Sequence, residues 1–155
     1  MSDILQAIYR GDPDRAERLA ADRELEVFEA SALGRSERLR ELLDTDPALA
    51  NAWADDGFQP LGLASFFGHV DAARLLVERG AEVNSASRNA MKVMPLHSAA
   101  AAQDPAVRYE IARLLLDAGA DANARQQDDF TPLTAADQHG DARLRQLLVD
   151  HGATG

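Results

Sequence analysis

Cysteine is absent from this 155-residue chain, so it has neither a disulfide framework nor a thiolate metal site. That lack fits a reducing compartment, and a cytoplasmic location is expected. Aromatic residues supply only 5% of the chain, within an apolar total of 46%. Alanine and leucine are therefore left to fill the core, as closely packed helices prefer. No apolar run reaches the length that spans a bilayer. The opening Met1-Ser2-Asp3-Ile4 has no basic stretch and no long apolar one, so no signal peptide is expected. Basic charge is scarce as well: 16 Lys and Arg stand against 26 Asp and Glu, a net charge of −10. Nucleic acid and anionic membranes are gripped through basic surface, so neither is an expected partner. The acidity is read as a source of solubility. Lys92 is the one lysine, and no mechanism is attached to it.

What the chain does contain is a repeat. Gly119-Ala120-Asp121-Ala122-Asn123 is followed nine residues later by Pro132-Leu133. Gly80-Ala81-Glu82-Val83-Asn84 precedes Pro95-Leu96-His97, and Asn51 stands nine residues before Pro60-Leu61. Gly152-Ala153 closes the chain. A period in the thirties means stacked supersecondary units, each packed on its neighbours. Within a unit, proline suits the first turn of a helix, where a missing N–H costs nothing. Leu61 and Ala64 share a face, and Gly68 ends that helix. A second helix from about Val70 to Glu78 buries Ala72, Leu75 and Leu76, and Gly80 stops it. Pro95, Leu96 and Ala99 open the next pair, whose second helix packs through Ile111, Leu114, Leu115 and Leu116. Thr131 caps a further helix that carries Leu133 and Ala136, followed by a stripe of Leu144, Leu147 and Leu148.

These residues resemble the ankyrin-repeat family, whose unit is a β-turn and two antiparallel helices with a Thr-Pro-Leu-His-x-Ala signature. The likeness is carried by Pro60-Leu61, Pro95-Leu96-His97, Thr131-Pro132-Leu133, Gly68-His69 and the Gly-Ala-(Asp/Glu)-x-Asn tails. It is clear from about Asn51 to Ala153 and weaker but in register before that. Ala7 to Gly11 and Ala30 to Gly34 mimic the end of a first helix, and Leu39, Leu42 and Leu43 mimic a second. The resemblance implies an all-α solenoid of helix-turn-helix units joined by β-turns or short hairpins. Five units in one domain are expected, over about 1–24, 25–54, 55–87, 88–126 and 127–155. Both end units should act as caps, the first covered by Asp12, Asp14, Arg15, Glu17 and Arg18. The loose repeats and compositional bias suit a bacterial protein.

The pattern is broken at several points. Gln59 and Met94 replace the capping threonine, each loss costing on the order of 1 kcal/mol. Gly62 and Thr134 replace the signature histidine. Asp129 stands at the usual turn glycine, which predicts a less regular fourth turn. Asn84 to Pro95 spans eleven residues against nine in the neighbouring units, so the third turn is two residues longer. Ala100 to Ile111 is also long, and Asp104-Pro105 reads as an N-cap with proline at the first helical position. Insertions in a repeat often mark the binding face, although neutral length variation in a surface loop gives the same signature.

Catalytic chemistry finds little footing. His69, His97, His139 and His151 form no ligand pair with metal-site spacing, and no cofactor or metal is expected. In the family, a histidine such as His97 ties neighbouring turns by hydrogen bonds; His69 is expected to cap locally. Ser98 adjoins His97, but adjacent helical residues point apart and do not make a nucleophile and base. Asp55-Asp56 and Asp128-Asp129 fall at turn tips, where solvated acids are common. Phosphate-cradling glycine loops are missing.

Surface remains, and the resemblance implies that a partner protein binds the concave face formed by the turns and the exposed ends of the first helices. Repeat register places Trp53, Asp55, Asp56, Phe58, Phe66 and Phe67 there. Arg88, Met91 and Lys92 belong to the long turn, and Gln127, Asp128, Gln138 and His139 to the last unit. Trp53, Phe58, Phe66 and Phe67 are four of the chain's eight aromatics, gathered in one unit whose framework does not require them. Such a cluster suits a binding hot spot. The bland alternative sends one or two of them into the core beside small Gly62 and Ala72, Phe66 first. A non-catalytic interaction module is thus the expected function. Self-association through the aromatic patch is a less favoured alternative, and an enzyme with a groove site at His139, Asp128 and Gln138 is a further one.

Overall fold

Three prolines set the helix starts as the sequence requires. In the computed structural model, which describes residues 2–154, Pro60, Pro95 and Pro132 occupy the first helical position of their helices. Ten α-helices form five antiparallel pairs. They are α1 (Asp3–Tyr9) with α2 (Pro13–Ala20), α3 (Val27–Leu33) with α4 (Ser36–Thr45), α5 (Pro60–Phe66) with α6 (Val70–Glu78), α7 (Pro95–Ala100) with α8 (Pro105–Asp117), and α9 (Pro132–His139) with α10 (Ala142–Asp150). The first helices pack in the order α1, α3, α5, α7, α9, and the second helices α4, α6, α8 and α10 pack likewise. This is the expected all-α solenoid. Among the described residues there is no strand, so the connections are turns rather than hairpins.

Alanine permits the close approach of the first helices: Ala30, Ala64, Ala99 and Ala136 are fully buried on them. Leu39, Leu76, Ile111, Leu115, Leu144 and Leu148 fill the space toward the second helices. Leu114 is only half-buried. The residues expected to cover the first unit, Asp12, Asp14, Arg15, Glu17 and Arg18, are exposed.

Asparagine then fastens each unit to the next. Asn51 Nδ2 donates to the Gly80 carbonyl at 3.0 Å, and its Oδ1 accepts from the Glu82 amide at 2.8 Å. Asn84 does the same to Gly119 and Asp121, and Asn123 to Gly152 and Thr154. Each side chain thus satisfies backbone groups at the end of the following outer helix.

The turns are closed by Ala54 N–H to Phe58 O, Ser87 N–H to Val93 O, and Gln126 N–H to Phe130 O, at 2.8 to 2.9 Å. They are also bonded to one another, Arg88 N–H to Gly57 O and Gln127 N–H to Met91 O. Three residues before each inner-helix proline the backbone is left-handed: Gly57 at φ 90°, Lys92 at 53° and Asp129 at 58°. Glycine is required at the first of these on two counts, since a Cβ on Gly57 would lie 2.6 Å from the Arg88 carbonyl oxygen. Asp129 lies in the less regular fourth turn that the sequence predicts. It keeps the glycine-like conformation, and Asp128 joins it at φ 62° within a short 3₁₀ turn, Gln127–Asp129.

The extension of the outer helix is real: α8 has 13 residues, capped by Asp104 with Pro105 at its first position. Its added turn carries Arg108, which is buried. Arg108 donates to the carbonyls of Ala102 and Gln103 and, at 2.8 Å, to Asp141, the N-cap of α10. The insertion is therefore tied down by a buried cation that braces the last unit. This gives the longer helix a structural role.

Candidate functional site

Five of the thirteen candidate residues come together. Asp56, Phe58, Phe66, Phe67 and Met91 line one groove of about 440 Å³ between the turns and the first helices. Phe66 is the last residue of α5 and Phe67 its C-cap, which Gly68 follows. Their rings meet edge to face with centroids 5.0 Å apart, and Tyr9 from the end of α1 stacks on Phe67 at 6.1 Å. Phe58 and Phe67 are half-buried against a small cluster of Leu5, Ala32 and Leu63. Phe66 is 48% exposed, and Met91, on the long third turn, 47%. The alternative that sends Phe66 into the core first is therefore not met, and Phe66 stands on the surface as a candidate binding residue should. At the end of α5 its side chain falls on the groove side, and Leu61, Leu63 and Ala64 already fill the core.

Tyr9, Gly62, Val93, Gln126 and Phe130 complete much of the lining and were not among the candidates. Tyr9 shares the register of Phe66, two residues before the helix-ending glycine, and that register marks it as a position on the concave face. Phe130 and Val93 each precede an N-cap residue by one position, as Phe58 precedes Gln59, so their signal lay in the same alignment of units.

Asp56 is the sole carboxylate lining the groove, and no arginine or lysine lines it. The Tyr9 hydroxyl donates to Asp56 Oδ2 at 3.0 Å, while the Phe58 amide donates to Oδ1 at 3.3 Å. Burial, and then the adjacent Asp56 charge, push the Tyr9 phenol well above its ordinary range, so it remains a donor at neutral pH. His97 forms part of the wall without free ring nitrogens. Its Nδ1 accepts from the Met94 amide at 3.1 Å and its Nε2 donates to the Ala124 carbonyl at 2.9 Å. That is the turn-to-turn tie expected of it. Burial lowers its pKa, keeping the ring neutral. His69 differs from its expected local capping role: its Nε2 donates across units to the Ala32 carbonyl at 2.8 Å. Gly34 makes room for that ring, since a Cβ there would lie 2.5 Å from it.

The other candidates stand elsewhere. Trp53 is half-buried beside a smaller recess of about 280 Å³ with Phe28, Glu26 and Asp55. The Arg88 guanidinium lies 3.9 Å over its ring, so these two side chains engage each other. Lys92 and Asp128 are exposed in left-handed turn positions, and Gln127 is held by its backbone bond to Met91. Gln138 and His139 are exposed on α9 and, like Asp128, lie outside the groove lining. Among the described residues no group of three or more His, Asp or Glu side chains is gathered as a metal would need.

This architecture agrees with comparison to known proteins. The ankyrin repeat family model matches residues 56–88 and 94–127. The chain is 36% identical over 114 residues to the E3 ubiquitin-protein ligase Ufd4 of Drosophila melanogaster, covering 74% of this chain and 4% of that protein. It is 32% identical over 164 residues to human ankyrin repeat and SOCS box protein 16, covering 82% and 36%. A putative ankyrin repeat-containing protein of Treponema pallidum is 33% identical over 122 residues, covering 72% and 39%. The chain belongs to the ankyrin-repeat family. It spans well under half the length of these curated relatives, which are mostly eukaryotic. Ankyrin repeats are in general protein–protein interaction modules, and the family is generally non-catalytic.

Proposed function

We propose that this chain is a non-catalytic cytoplasmic binding module that holds a partner protein on its concave face, with the groove between α1, α5 and the turns as the anchoring site. The observation that carries this reading is the aromatic cluster of Tyr9, Phe58, Phe66 and Phe67, gathered from two units around an apolar cleft. Exposed apolar surface is costly to keep unless it is used, and buried aromatic anchors dominate interface energetics. The rigid stack offers such a surface with little ordering cost on binding.

The test is photocrosslinking in the source cell. A crosslinking amino acid is placed at Phe66, or at Gln146 on exposed α10, well away from the groove. A partner trapped at position 66 and not at 146, and lost on Phe67→Ala with folding intact, is the expected result. Equal trapping at both positions, or capture unaffected by Phe67→Ala, would sink the reading.

A further inference from the structure

The groove specifies its guest more narrowly than apolar character alone. Its floor is open because Gly62 stands where α7 carries His97 and α9 carries Thr134. A Cβ on Gly62 would meet only the Ser98 hydroxyl, at 4.0 Å. Its walls are held without a guest, since Phe67 is braced on one side by Tyr9 and on the other by Phe66. Its one carboxylate, Asp56, accepts a single bond on each oxygen and keeps further acceptor capacity on both. With no basic side chain in the lining, that charge awaits a cation from outside.

We infer that the groove takes a partner segment presenting a large apolar side chain next to an arginine or lysine, the first seated over Gly62 between Phe66 and Met91, the second on Asp56. The inference rests on the reading of the groove as the partner surface. A chain of net charge −10 also draws a basic segment toward it, and a paired charge at the mouth fixes its register.

The probe is a phage-displayed library of random dodecapeptides, selected on the immobilised full chain. Enriched peptides are then synthesised and their affinities read by fluorescence anisotropy. Expected sequences place Leu, Ile, Met or Phe within a few positions of Arg or Lys. Their affinity should fall about tenfold or more on Phe66→Ser, which alters an exposed ring and leaves the fold intact. It should fall several-fold on Asp56→Asn, whose Oδ1 still accepts from the Phe58 amide and whose Nδ2 can donate to the Tyr9 oxygen, and that variant should also lose most of the salt dependence. Peptides that need Phe66 but show no basic preference and ignore Asp56→Asn overturn this inference and leave the concave-face reading standing. Peptides indifferent to Phe66→Ser, or a library yielding none, overturn both. A dimer in sedimentation that dissociates on Phe66→Ser gives the groove to a second copy and overturns the inference as well.

Discussion

Asn84→Ala tests how the units are joined. The side chain lies beyond the third helix pair and grips the end of the fourth through two bonds, 3.0 Å to the Gly119 carbonyl and 2.8 Å to the Asp121 amide. Alanine deletes both. A hydrogen bond contributes about 0.5–1.5 kcal/mol net, so the pair is worth about 1–3 kcal/mol. Asn84, Gly119 and Asp121 are all exposed, and water can take up the freed groups. That places the loss in the lower half, about 1–2 kcal/mol. In a stack it falls on one interface and not on the whole. Urea unfolding followed by circular dichroism should show a lower midpoint. Hydrogen exchange then locates the effect. Asn123→Ala frees the Gly152 carbonyl and the Thr154 amide, so amides of α10 should exchange faster while those of α4 keep their protection. Unchanged midpoints in Asn51→Ala, Asn84→Ala and Asn123→Ala alike would refute the claim that these side chains clamp the units. Uniform loss of protection along the chain would refute the claim that their effect is local.

Three further outcomes are expected. Arg108→Met leaves Asp141 uncompensated in a site where the two side chains are only 4% and 10% exposed, and should cost about 3–5 kcal/mol in thermal or urea unfolding. A loss below about 1 kcal/mol would show that the pair does not brace α8 against α10. Burial holds His97 below its ordinary value of 6.5, an effect that outweighs the opposing pull of the Ala124 carbonyl and the Asp121 charge. Stability from the neutral ring is thus complete above that pH and declines as pH falls below it, because the unfolded chain takes up the proton first. His97→Thr should flatten part of this slope and leave the share of His69, which is shifted the same way, and an unaltered slope would contradict it. Gly62→Ala should raise stability by up to about 1 kcal/mol, since the backbone there is helical and the new methyl meets nothing closer than 4.0 Å. A destabilised protein would show that the floor of the groove is tighter than these contacts describe.

The fold was legible because each unit writes its boundaries in residues with a local mechanical reason. Pro60, Pro95 and Pro132 start helices, Gly68 and Gly80 stop them, and the leucine stripes fall inward as their spacing demands. The long third turn and the extended α8 were legible as counts of residues. The purpose of the extension was not, because nothing local marks Arg108 as buried: its partner Asp141 is 33 residues away. The asparagine clamps were visible as a pattern, yet their bonds run to backbone groups of the next unit. The groove was half legible. Phe58, Phe66, Phe67, Asp56 and Met91 follow from register, while Tyr9 contributes from two units earlier. Trp53 belongs to the same aromatic cluster in the sequence, but the cation that lies over it, Arg88, comes from the following turn.

Departures from the repeat therefore divide by what the surrounding structure does with them. The longer passage from α7 into α8 presents the carbonyls of Ala102 and Gln103, and Arg108 answers them, so that irregularity is absorbed. Gly62 is not answered in this way. It removes the side chain that in α7 bonds across to the next turn, and only the Ser98 hydroxyl comes within 4.0 Å of the place a Cβ would take. The same helix ends in Phe66 and Phe67, one exposed and one half-buried, and the adjoining turn is long enough to bring Met91 beside them. Each of these choices weakens the stack or wets an apolar side chain, and all of them border one cleft. Local rules broken together at one place, with no compensation inside the molecule, are the physical signature of a surface shaped for something outside it.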